Sequence, residues 1–303
     1  MADFKKPFVE EIEIFSPVHD VYPLISPDSH FANKTFKDKV VIITGGSVGI
    51  GLTTALFYAR AGSKVLIVAR RVPILEEAKQ KIEKEVPGAQ VQIVAGDISE
   101  PEVGKRVVDA AVQTWSKVDI VIANQFTSVA GPINKFGEKD PSAWWTTQVV
   151  NVRGTLNIVH AALPELLKTK GQVLATTSGA AHARLPFLMD YCISKHTLNR
   201  FIEILALDYP ELKFYALHPG AIPTPGSTAA VASMGLPEGA LPQPDTLELA
   251  AATFLWLTAR NAEFLNGRYV QATWDLNEVL AKKEEIVRDN LLVTKLAGPA
   301  KST

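Results

Sequence analysis

Seven short runs of largely apolar, aromatic and β-branched residues dominate what this chain can fold into. They lie at residues 39–44, 64–69, 90–94, 119–123, 172–177, 213–218 and 268–273. As a set they lack the in/out alternation of a sheet wetted on one side, so they read as parallel strands buried on both faces. Between them the apolar residues recur at helical spacing. Leu75, Ala78, Ile82 and Val86 share one helix face, Glu77 and Lys81 stand one turn apart, and Pro87-Gly88 supplies a stop. Parallel neighbours need right-handed crossovers. The alternation therefore predicts an α/β, doubly wound Rossmann-type fold: a seven-stranded parallel sheet with helices on both faces. We expect a single dinucleotide-binding catalytic domain over 39–275, an N-terminal arm over 1–38 and a C-terminal helical extension over 276–303.

The turn after the first run reads Thr44-Gly45-Gly46-Ser47-Val48-Gly49-Ile50-Gly51 and opens a helix carrying Ala55, Leu56, Tyr58 and Ala59. Between a strand and a helix, such glycines let the backbone approach a pyrophosphate, and the free amides of the helix start bind its charge. A dinucleotide is expected there. At the end of the second run, where a carboxylate would hold adenosine ribose hydroxyls, stand Ala69-Arg70-Arg71. Two guanidiniums and no carboxylate favour the 2′-phosphate of NADP(H) over NAD(H).

Tyr191 and Lys195 lie four residues apart, one helical turn, and Ser178 precedes them. On a shared face the lysine's charge would favour the ionised phenol, making an acid/base pair, and the serine hydroxyl could hold a substrate oxygen.

Net charge is −1, from 31 basic and 32 acidic residues, so no broad field points to nucleic acid or an anionic membrane. The lone cysteine, Cys192, excludes an intrachain disulfide and reads as buried packing, and the six histidines show no metal-ligand spacing. His182 reads as structural. The first residues lack the pattern of a signal peptide and the last three match no lipidation or peroxisomal signal, while the longest apolar stretch, 249–259, falls short of the roughly 20 residues a membrane helix needs. A cytoplasmic protein without a transmembrane segment is expected.

Two segments flank the site motifs. Asp245-Thr-Leu-Glu248 reads as a capping box, making 223–244 a loop of its own, apolar enough to serve as a substrate lid. Phe8, Ile12, Phe15, Val18, Val21, Tyr22 and Phe31 make the arm too apolar for a free tail, so it should pack on the core or on a partner subunit. Beyond Asp275, Val279, Leu280, Ile286 and Val287 read as one face of a surface helix.

These motifs together resemble the short-chain dehydrogenase/reductase family over residues 36–275, with end segments similar to a subgroup common in fungi. Thr44, Gly45, Gly49 and Gly51 match its glycine motif, within which Ser47 and Ile50 are taken as cofactor contacts; Asp97, followed by Ile98, matches its adenine-contacting aspartate. Its Asn-Asn-Ala-Gly motif is altered to Ala123-Asn124-Gln125-Phe126, which keeps one asparagine and puts bulk where small residues leave room for the cofactor. Phe126 is expected to pack in the core rather than in a substrate pocket. The resemblance implies a catalytic tetrad of Asn151, Ser178, Tyr191 and Lys195, with Asn151 anchoring a water in the proton relay and Lys195 also holding the nicotinamide ribose. Pro219, Gly220, Ile222 and Thr224 match the segment that meets the nicotinamide carboxamide. The implied activity is interconversion of a carbonyl and a secondary alcohol on a hydrophobic small molecule with NADP(H), reduction favoured. A dehydratase or epimerase on the same scaffold, or a non-catalytic NADP(H)-sensing protein, are the alternatives. The family also implies a homodimer or homotetramer through helices of 151–167 and 191–207.

Overall fold

A computed structural model describes residues 13–128, 131–235, 239 and 241–296. Its centre is a seven-stranded sheet, all neighbours parallel, in the spatial order β3-β2-β1-β4-β5-β6-β7. The strands are β1 (Val40–Thr44), β2 (Lys64–Ala69), β3 (Val91–Ala95), β4 (Ile120–Ala123), β5 (Gln172–Thr176), β6 (Lys213–His218) and β7 (Arg268–Gln271). Each of the seven runs forms the strand expected of it, within a residue or two at its ends.

The missing alternation has its cause in two separate apolar layers. Val41, Ile43, Val65 and Ile67 face one layer, with Ala55, Leu75 and Phe254. Val40, Ile42, Leu66 and Val68 face the other, with Val107, Ile158 and Ile202. A strand whose successive side chains enter two dry cores has no polar position to show. The order reverses at β1, which pairs with β2 on one side and β4 on the other. Chain leaving the carboxyl ends of β1 and β4 therefore diverges and opens a crevice, where ligands bind in such sheets.

The helices of the described residues are α1 (Asp28–Asn33), α2 (Gly49–Arg60), α3 (Val72–Glu85), α4 (Pro101–Trp115), α5 (Pro141–Gln148), α6 (Gly154–Thr169), α7 (Met189–Asp208), α8 (Pro225–Ser233), α9 (Leu247–Thr258), α10 (Leu276–Ala281) and α11 (Lys283–Arg288). No described helix is long and apolar enough to cross a membrane.

Three local expectations are corrected. The segment 223–244 is not all loop: Thr224 caps α8, its Oγ1 accepting from the Ser227 amide at 3.1 Å, and only the chain beyond Ser233 is irregular among the described residues. Leu236 lies outside them. The cap of α9 is Thr246, whose Oγ1 accepts from the Leu249 amide at 3.1 Å, and not Asp245, which is buried and bonded elsewhere. The extension after Asp275 forms two short helices and not one; they pack through Leu276, Val279 and Ile286 and leave Val287 exposed.

From residue 13 the arm crosses the sheet edge. Val18 donates to the Thr273 carbonyl at 2.8 Å, Pro17 bridges Trp274, and the Phe15 and Trp274 rings meet edge to face at 5.2 Å. This pairing takes over the chain beyond Gln271, which ends β7 before the expected residue 273. Phe8 and Ile12 lie outside the described residues.

Candidate active site

A cleft of about 670 Å³ opens over the carboxyl ends of the strands. Its first wall is the glycine turn. Gly45 and Gly49 have φ of +63° and +53°, a conformation other residues reach only with strain. At Gly51 a Cβ would lie 2.2 Å from the Gly45 carbonyl oxygen, so only glycine lets helix and strand end approach this closely. Gly51 itself is buried and does not line the cleft, whereas Gly45, Ser47, Gly49 and Ile50 do. Val48 precedes α2 as its N-cap with no side-chain cap bond, which leaves the first-turn amides without a capping side chain among the described residues. That is an anion cradle. A dinucleotide fits the cleft's volume, the cradle and the absence of a Cβ at Gly45 and Gly49.

The second wall carries Arg70 and Arg71, both exposed and neither with an ion-pair partner among the described residues. Asp97 and Ile98 stand beside them; Asp97 Oδ1 is fixed by the Ser99 amide at 3.0 Å and the Ser99 hydroxyl at 2.7 Å. Asn124 is buried and knits three strands: its backbone amide donates to Thr44 Oγ1 at 3.0 Å, its side chain donates to the Gly45 carbonyl at 3.4 Å, and its Oδ1 accepts from Thr176 Oγ1 at 3.3 Å.

The altered positions after Asn124 are integrated rather than disruptive. Gln125 accepts from the Thr44 hydroxyl and donates to Thr155 Oγ1 at 3.0 Å and to the Val150 carbonyl at 3.4 Å, so one amide ties β1 to the segment before α6. Phe126 contradicts its expected core position. The ring is 42% exposed, lines the cleft, and meets the Tyr191 ring edge to face at 6.4 Å. On its other side a Cβ at Gly226 of α8 would lie 3.1 Å from the ring. Apolar content alone does not separate a wall ring from a core ring; the contact with Tyr191 does.

Asn151 sits in a π-helical turn (Val149–Arg153) between α5 and α6 and is fully buried. Its amide donates to the Thr127 carbonyl and to Ser194 Oγ, both at 2.9 Å, and its Oδ1 accepts from the Thr127 amide at 2.8 Å. Both amide hydrogens are thus taken by protein, and the observed work of the side chain is to fasten the chain after β4 to α7. It does not line the cleft.

Tyr191, in the first turn of α7, lines the cleft beside Ser178, whose hydroxyl pulls on the phenol and whose Oγ accepts from the Ala180 amide at 3.2 Å. Lys195 is buried one turn on, its Nζ 5.7 Å from the Tyr191 ring centroid and donating to the Thr176 carbonyl at 2.7 Å. The shared face is as the spacing predicts, but the electrostatics is not. Burial pushes the phenol up to about 12, against the pull of the Ser178 hydrogen bond, and burial brings the ammonium down to about 7. In the protein without ligands, desolvation of both groups outweighs their mutual attraction. Cys192 next door is half-buried, its thiol raised to about 11 by burial. His182 is outside the cleft lining, edge to face with Tyr269 at 4.5 Å and accepting from Asn199 at 3.0 Å, and burial lowers it to about 4.

The third wall is Pro219-Gly220-Ala221-Ile222 after β6, continuing through Thr224 into α8. Thr224 approaches the glycine turn, since a Cβ on Gly49 would be 3.1 Å from its methyl group. The start of α8 thus lies between Gly49 and Phe126. Among the described residues no group of three or more His, Cys, Asp or Glu side chains could hold a metal ion.

A family model described as short chain dehydrogenase matches residues 39–234. The short chain dehydrogenase pigC of Monascus ruber is 32% identical over 302 aligned residues, which cover 94% of this chain and 94% of its own. The short chain dehydrogenase mpl6 of Monascus purpureus is also 32% identical, over 92% of this chain and 94% of its own. The crystal structure of levodione reductase superposes with a TM-score of 0.72 over 78% of this chain and 97% of its own, at 23% identity, a likeness of fold.

Proposed function

The chain belongs to the short chain dehydrogenase family, and on that footing we propose that it is an NADP(H)-dependent reductase of hydrophobic carbonyl compounds. One observation carries the reading: a phenol beside a serine hydroxyl faces a cleft that also holds uncapped helix amides and two guanidiniums with no ion-pair partner among the described residues. When bound, a nicotinamide nucleotide supplies the hydride. The glycine turn would hold its pyrophosphate, Arg70 and Arg71 its 2′-phosphate, Asp97 and Ile98 its adenine, and the 219–224 segment its carboxamide.

The protein moves the proton. A phenol raised to about 12 is fully protonated at neutral pH, so Tyr191 is stocked to donate to the carbonyl oxygen as the carbon is reduced. Ser178 hydrogen-bonds the same oxygen and stabilises the charge developing on it. The phenolate left behind is stabilised by Lys195, which recharges near pH 7. Asn151 acts as a strut for this wall, through Thr127 and Ser194. The exposed apolar residues Leu156, Ile193, Ile204 and Leu207 on α6 and α7 support a homo-oligomer.

Fluorescence titration with NADPH and NADH tests the cofactor reading. Arg70→Ala should weaken NADPH binding about tenfold, the scale of one charge-assisted contact, and leave NADH unchanged. Equal losses for both nucleotides would remove the 2′-phosphate assignment. Consumption of one NADPH per ketone reduced separates a reductase from the dehydratase, epimerase and sensor readings. Phe126→Ala removes an aromatic wall beside Tyr191 and should raise KM for an apolar ketone about tenfold with NADPH affinity unchanged. An unaltered KM would place the substrate elsewhere.

A further inference from the structure

The motifs after β6 do not explain what keeps the cofactor-facing 219–222 segment in place. Asp245 does. Its side chain is 4% exposed, its Oδ2 accepts from the Ala221 amide at 2.5 Å, and its own amide donates to the Ala221 carbonyl at 3.2 Å. Gly220, at φ +111°, lies so near this carboxylate that a Cβ there would be 2.7 Å from Oδ2. The segment is therefore clasped from behind while its front lines the cleft.

A buried carboxylate holds such a position only if its remaining oxygen is also satisfied. That partner comes from the N-terminal arm: His19 Nδ1 lies 2.6 Å from Asp245 Oδ1. The arm is fixed at this point by two more bonds, the Thr246 amide to the His19 carbonyl at 3.1 Å and Thr246 Oγ1 to Asp20 Oδ1 at 2.8 Å. His19 precedes the 39–234 segment that the family model matches.

We infer that His19 and Asp245 are positioning residues of the cofactor site, and that the arm is a working part of that site because it completes the hydrogen bonding of the carboxylate that sets the 219–222 backbone. The inference rests on the reading above that this segment receives the nicotinamide end. His19→Ala removes the donor, and His19→Asn restores an N–H donor without the ring. Ser16→Ala cuts a different arm contact, its hydroxyl to Glu278 Oε1 at 2.6 Å, and controls for simple loosening of the arm.

Two readouts are needed. Amide hydrogen exchange on the protein without nucleotide should show the Ala221 amide exchanging about tenfold faster in His19→Ala, near wild type in His19→Asn, and unchanged in Ser16→Ala. Fluorescence titration should show NADPH binding weakened about fivefold to tenfold in His19→Ala, recovered in His19→Asn and unchanged in Ser16→Ala. Wild-type exchange and affinity in His19→Ala overturn the inference alone. Equal effects in Ser16→Ala overturn it too, because the arm would then act only as a tether. A wild-type protein that binds neither NADPH nor NADH overturns the proposed function and this inference together.

Discussion

Tyr191→Phe leaves a folded protein that binds NADPH with unchanged affinity and has lost about three orders of magnitude in turnover, within the range that one positioned proton donor supplies. The substitution deletes one oxygen. The ring keeps its edge-to-face contact with Phe126, and Lys195 keeps its bond to the Thr176 carbonyl, so neither packing nor the lysine's position is at stake. Ser178 loses its phenolic partner but retains the Ala180 amide. Stopped-flow and steady-state rates of NADPH oxidation with a ketone substrate measure the loss, and nucleotide titration checks the site. Turnover within threefold of wild type, with affinity intact, would remove the phenol from the mechanism.

Lys195→Met separates function from stability in opposite directions. The ammonium is buried and its pKa falls from 10.5 to about 7, because burial penalises the charged form. Across pH 7 to 10.5 the unfolded chain therefore binds more protons at this residue than the folded one, and wild-type stability rises with pH through that window. Below pH 7 the lysine is charged in both states and the full penalty is carried. Methionine of similar length removes that penalty and leaves the Thr176 carbonyl without its donor. The expected net gain is about 2–4 kcal/mol at pH 6, shrinking to nothing or reversing near pH 10.5. Turnover should fall at least a hundredfold, since the phenolate formed on proton donation loses its counter-charge. Thermal melts at pH 6 and pH 10 on the protein without nucleotide decide the stability half. A variant that melts below wild type at pH 6 would mean that the buried ammonium stabilises this fold.

The Phe126 and His19 substitutions probe different parts of the cleft. One is next to the phenol and should act on KM for the ketone, the other is behind the 219–222 segment and should act on the nucleotide. Their independence is itself informative, because changes at sites that share no partner add.

Much of this protein was legible in its residues. Runs without polar alternation specify strands buried twice over, and the two apolar layers that meet Val40–Thr44 are the physical reason; the edge strand β3, where only Val91 is buried, is the exception. Thr44 to Gly51 specifies a turn that no side chain other than glycine can make at Gly51, where the Gly45 carbonyl leaves no room. Tyr191 and Lys195 specify a shared helix face, because four residues complete a turn.

Periodicity is local, and what escaped it depends on chain brought together from afar. Burial reversed the expected charge balance of Tyr191 and Lys195, since desolvation is set by every neighbour in space and not by the residue one turn away. Phe126 became a cleft wall only because β4 ends against α7 and α8 closes over it. Asp245 read as a cap is instead a clasp, because Ala221 and His19, neither adjacent in sequence, reach its two oxygens. The chain's pattern determined the elements, their order and the chemistry available; tertiary packing alone decided which groups are dry and which partners they meet, because solvation and long-range hydrogen bonds exist only once the fold has closed.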